Sequence, residues 1–145
     1  MKNDIFKTTD DWTGPDLRLY LAFVMIPHAI QHTTGGFGGF GYTKVVDHFT
    51  STMHMPWLLA VLVVVIEVLA PLLVLIGFAT RLAAASLIVL MTGIVFSSHI
   101  QFGFFMNWFG AQKGEGFEYH ILYMGLASAA FFNGGGKYSV DRYLQ

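Results

Sequence analysis

Between Met55 and Ala79 the chain reads MPWLLAVLVVVIEVLAPLLVLIGFA. This apolar run is long enough to cross a bilayer, and it carries one formal charge, Glu67, near its centre. A carboxylate at that depth is costly, and such residues face a bundle interior or a wet cavity. The stretch therefore predicts a membrane protein with a polar site inside its membrane part. The competing reading is a protonated Glu67 that only hydrogen-bonds a neighbouring helix.

Composition narrows the class. The chain has 145 residues, enough for a single domain over 1–145. Only 12% are charged, against roughly 25% in average soluble domains. The net charge of -1 gives no general attraction to nucleic acid. There is no Cys, which excludes disulfides, a thiol redox couple and thiolate metal sites. A redox role would have to use a bound cofactor or a partner. The opening MKNDIFKTTDDWTGPD is too polar for a cleaved signal peptide, so the first apolar segment is expected to stay as an anchor.

Four apolar segments are expected to span the membrane, at about 17–34, 57–78, 82–102 and 117–132. Pro27 should kink the first. GGFGGFGYTK reads as a compact loop, and VVDHFTSTMHMP as a short interfacial helix or an irregular return. QFGFFMNWFGAQKGEG is aromatic and Gly-rich, suited to the headgroup region. Asn133 and the glycines after it stop the last segment. The fold class is thus an all-α membrane protein, an antiparallel four-transmembrane-helix bundle. Lys2, Lys7, Arg18, Arg81, Lys137 and Arg142 fall on one side, and Lys44 and Lys113 on the other. That bias places both termini in the cytoplasm, with loops 35–56 and 103–116 outside. Arg18 and Arg81 then read most simply as cytoplasmic interface anchors, with capping of a polar network the alternative for Arg18.

With this topology His28, His32, His48, His54, His99 and His120 all fall in the outer half or outer loops, joined by Glu118. Glu67 lies ~15 Å below the outer end of its segment, and His28 lies at similar depth. A Glu67–His28 contact is the expectation, since a histidine beside a buried carboxylate lowers its cost. His28 and His32 are spaced i, i+4, on one helix face and at a spacing paired metal ligands use. Glu118 and His120 diverge on a helix, so Glu118 could instead meet His99 or His28. His48 and His54 read as loop residues.

Five features together resemble the DoxX family of small bacterial four-span membrane proteins, which includes DoxD-type thiosulfate:quinone oxidoreductase subunits. They are Arg18; PHAIQHTTGGFGGFG; Glu67; IGFATRLAA; and GFEYHILY followed by GGGKYSVD. The resemblance implies a bacterial inner (cytoplasmic) membrane protein linked to quinone-dependent or oxidative-stress redox chemistry. Carried over by position, it singles out Arg18, His28, Gln31, Glu67, Arg81 and Glu118. His32 stands where the family usually has Lys, which removes a permanent cation.

The expected function is a membrane subunit serving a quinone-linked oxidoreductase with a redox partner protein. Glu67, His28 and Glu118 are the catalytic candidates. Gln31, His32, His99 and His120 complete the binding set with them. Alternatives are a metal protein using His28 and His32, a haem protein using His28 with His99, and a non-enzymatic membrane scaffold.

Overall fold

The computed structural model describes residues 5–145, and among these the chain is all helical, with no strand. Lys2, counted in the charge bias above, lies outside the described residues. The long helices are α1 (Thr13–Thr33), α3 (Trp57–Ile76), α4 (Thr80–Ile94) and α5 (Glu118–Asn133). A short α2 (Tyr42–Asp47) lies between α1 and α3, and α6 (Val140–Leu144) follows α5.

Among the described residues, two helices are long and apolar enough to cross a membrane: Trp57–Ile76, with mean hydropathy 3.1, and Thr80–Phe102, with 1.8. The first is rich in Val and Ile, which lose side-chain freedom in a helix. In hydrocarbon a lone segment can satisfy its backbone only internally, and that requirement overrides the propensity.

α1 packs on α3 and α5, and α4 packs on the same two. The start of α1, the end of α3, the start of α4 and the end of α5 share one pole, so helix directions alternate around the bundle. The core joins Leu21, Val74, Leu87 and Tyr123 with Ala70, Ala84, Ala127 and Ala130. The alanines let the backbones approach closely. Large apolar side chains point outward from every long helix, among them Phe23, Leu58, Val89 and Leu122. A belt of this kind needs a non-aqueous neighbour.

The shared pole is closed by side chains from distant parts of the chain. Arg18 is buried, and its guanidinium donates to the carbonyls of Leu75 (3.1 Å) and Lys137 (3.0 Å). It caps the end of α3, as the alternative of a capped polar network has it rather than a plain interface anchor. Arg81 donates to Lys7 O (2.8 Å) and Phe132 O (2.9 Å). Asp141, 1% exposed, accepts from the amides of Ala79 (2.6 Å) and Thr80 (2.9 Å) and so caps α4. Gly77, at φ 69°, makes the turn possible: a Cβ there would lie 2.5 Å from Arg18 Nη1.

One boundary differs from expectation, and two expected segments contain π-helical turns that the sequence does not mark. α1 starts at Thr13 because Pro15 is tolerated in a first turn, whose amides have no intrahelical partner. α4 runs on through a π-helical turn, Val95–His99, and a 3₁₀ turn to Phe102. The 45–56 return combines the two forms expected of it: α2 continues into a π-helical turn at His48–Thr52, and the chain is irregular from Met53 to Pro56.

Candidate functional site

The deepest charge is paired. Glu67, 3% exposed, sits on the inner face of α3, and His32 is in the last turn of α1. His32 Nδ1 and Glu67 Oε2 are 2.6 Å apart. A contact this short needs a proton between the two atoms, and charge-assisted bonds are the short, strong ones. A second proton on the imidazole leaves the pair without net charge, which is the form hydrocarbon tolerates best. Pro71, one turn beyond Glu67, has no N–H for the Glu67 carbonyl, so the helix ladder is interrupted beside this charge.

His28 is therefore not the hydrogen-bond partner of Glu67; His32, one turn further out, takes that place. Counting residues from span ends fixes depth only to about a turn, ~5.4 Å. The packing register of α1 on α3 decides within that interval, and no sequence count contains it.

Two cavities meet at the pair. The inner one, about 220 Å³, is lined by His28, His32, Glu67, His99, Tyr119 and His120, with Met25, Met91 and Ile94 completing its wall. The outer one, about 470 Å³, is an apolar groove between α3 and α4. Leu59, Leu62, Ile66 and Val89 line it, Phe49 and Met53 roof it, and His32 and Glu67 form its polar end. A third cavity, about 340 Å³, touches the far side of His32 and holds Lys44 and His48.

The other expected residues divide between the inner cavity and the outer loops. The His99 and His120 rings lie 4.3 Å apart by centroid, and His99 Nδ1 donates to Glu115 O at 2.8 Å. The π-helical turn at the end of α4 carries His99, a common use of such turns. Glu118 is directed to the outer loop instead, where its carboxylate accepts from Met106 N at 3.3 Å. Gln31 also serves the outer loops: its side-chain Nε2 donates to Phe37 O (3.2 Å) and its backbone carbonyl accepts from Gly41 N (3.1 Å). Gly39 packs so closely on Gln31 that a Cβ there would lie 2.4 Å from the Gln31 carbonyl oxygen. Among the described residues no three His, Asp or Glu side chains converge as a metal site.

Tyr119 is the cavity residue that sequence reading did not single out. Its hydroxyl is buried without a partner among the described residues, as is His120 Nδ1. Its adjacency to His120 was the available signal. Phe49 and Met53 were hidden because a roof over a groove has no motif of its own.

No curated protein and no solved structure matches the chain. The DoxX family model matches residues 16–100, a stretch that holds α1, α3 and α4, the His32–Glu67 pair and the capping cation Arg18. That match covers more than half of the chain and all of the groove, and on it the chain belongs to the DoxX family of membrane proteins.

Proposed function

We propose that this chain is a four-span subunit of a quinone-linked redox system in the bacterial inner membrane, with both termini in the cytoplasm. The belt of apolar side chains on α1 and α5, as well as on α3 and α4, supports four spans. Lys7, Arg81, Lys137 and Arg142, gathered at the closed pole, support the orientation.

The observation that carries the quinone reading is the His32–Glu67 pair at the polar end of an apolar groove of about 470 Å³. Ligand sites are mostly apolar with a few converging polar groups, and a quinone has that same division. Its head would meet His32 and Glu67, and its tail would lie along Leu59, Leu62 and Ile66. A quinone takes up two electrons and two protons on reduction. His32 and Glu67 are placed to hold and move protons at that head. Electrons would come from a redox partner protein.

The test is equilibrium binding of a short-chain quinone analogue to the protein in lipid nanodiscs. A hydrogen bond to a charged group contributes about 1.5–3 kcal/mol. Glu67→Gln and His32→Gln should therefore each weaken binding about tenfold or more. Unchanged binding in both variants would refute the reading.

A second reading, metal or haem binding, has four imidazoles lining the inner cavity but, among the described residues, no three side chains that converge as a metal site. An absorption spectrum and metal analysis of the purified protein decide it. The scaffold reading draws on the exposed loop side chains Phe105, Trp108 and Phe109. It requires that an associated oxidoreductase stay bound and fully active beside the Glu67→Gln variant.

A further inference from the structure

We propose that the inner cavity is a hydrated proton port, which connects the His32–Glu67 pair through His120 and His99 to the aqueous phase on the side of loops 34–56 and 103–117. The pair has no corresponding route to the closed pole. Proton exchange is here a property of the pair itself; its use in quinone chemistry rests on the reading above.

Three observations carry this. First, the cavity wall is unsatisfied. Tyr119 Oη and His120 Nδ1 are buried without partners among the described residues, and His120 is only 8% exposed. An orphaned buried polar atom costs about 1–3 kcal/mol, and water relieves it where two to four polar partners exist. His28, Glu67, Tyr119 and His120 provide them. At ~30 Å³ per water, a cavity of about 220 Å³ has room for several.

Second, the imidazoles are staged toward the outer loops. His99, half-buried at the outer end of α4, stacks against His120. Its Nδ1 bonds a backbone carbonyl, Glu115 O, which only accepts. In the neutral ring the proton is therefore on Nδ1, and Nε2 is the nitrogen that can take another. One proton enters from water, each imidazole accepts one and releases one, and one arrives at the pair; no electron moves.

Third, the opposite direction is sealed. Below the cavity Leu21, Val74, Leu87 and Ala127 are fully buried and close-packed. The Tyr123 hydroxyl at that level is already committed to Leu21 O at 3.0 Å.

Other titratable groups near the pair are accounted for. His28 shares the cavity. Lys44 and His48 face His32 across the third cavity. The Glu118 and Glu115 carboxylates are engaged by the amides of Met106 and Asn107.

The experiment uses the full chain, ¹⁵N-labelled at histidine, in proteoliposomes sorted so that loop 103–117 faces the medium. The His32 signal is identified by its loss in His32→Gln. The medium is acidified while the lumen is clamped near neutrality. The His32 signal should follow the medium, and a His99→Gln, His120→Gln variant should slow that response about tenfold or more. Glutamine keeps the hydrogen bonding but does not titrate. A signal that follows the lumen, or neither side, overturns the proposal. An undiminished rate in the double variant also overturns it and places the route past Lys44 and His48. Quinone-analogue binding measured on the same samples separates failure of the port from failure of the quinone reading.

Discussion

At the scale of single residues, the pairing of His32 with Glu67 explains how a carboxylate can sit at the centre of the apolar run. Removing one partner leaves the other buried and uncompensated, which is worse than removing both. His32→Leu should therefore destabilise the protein by about 3 kcal/mol, the lower end for a broken buried pair, because the His32 side chain is 29% exposed. The double variant His32→Leu, Glu67→Leu should recover much of that loss. Unfolding in mixed detergent micelles measures both, and strictly additive single effects would show that the pair is not coupled. Gly93 supplies the opposite kind of test. It lines the groove, and a Cβ built on it meets no atom within 4 Å. Gly93→Ala should stabilise α4 by about 0.5–1 kcal/mol. Gly93→Leu should fold but project into the groove and abolish quinone-analogue binding.

At the scale of elements, the closed pole is a set of helix ends finished by other segments. Asp141→Ala removes both bonds to the α4 amides and should cost about 2 kcal/mol, the upper end for a lost N-cap. Asp141→Asn should retain part of that. The tail is also held by Arg142, which donates to Asp10 at 2.8 Å. That hydrogen bond holds the Asp10 carboxyl below its ordinary value. A lowered carboxyl makes its contribution above the unfolded-state value and loses it as pH falls through the folded one. Protection of the 137–145 amides, taken relative to their intrinsic exchange at each pH, should accordingly be kept at neutral pH and fall modestly in acid. None of this was legible in the sequence beyond the motif likeness of GGGKYSVD, because a cap made across 61 positions depends on where the tail lands. The helices themselves were legible. Long apolar runs and Gly or Pro punctuation place them to within a few residues; the start of α1 was missed where Pro15 is permitted, and the π-helical turns inside otherwise expected segments left no signal.

At the scale of the whole molecule, polar chemistry is gathered at one pole and structural capping at the other. The gathering of histidines in the outer half follows from the sequence once the segments alternate in direction. Which of them touches Glu67 does not, since it turns on the packing register of α1 against α3. Glu118 and Gln31 show the same limit: their positions in the order of motifs were readable, but loop backbone claimed both side chains. The cap by Asp141 has one more consequence, which concerns synthesis. The turn it closes leaves the ribosome about sixty residues before Asp141 does. The α3–α4 hairpin must therefore insert with the Ala79 and Thr80 amides bonded only to water. On the proposed four-span topology, Asp141 can reach them only from the same side of the bilayer, and that requires α5, a helix of 16 residues, to have crossed. A chain whose last span stalls would carry Asp141 on the wrong face. Its hairpin would stay unlatched, so on that topology the cap forms only once the final crossing has been made.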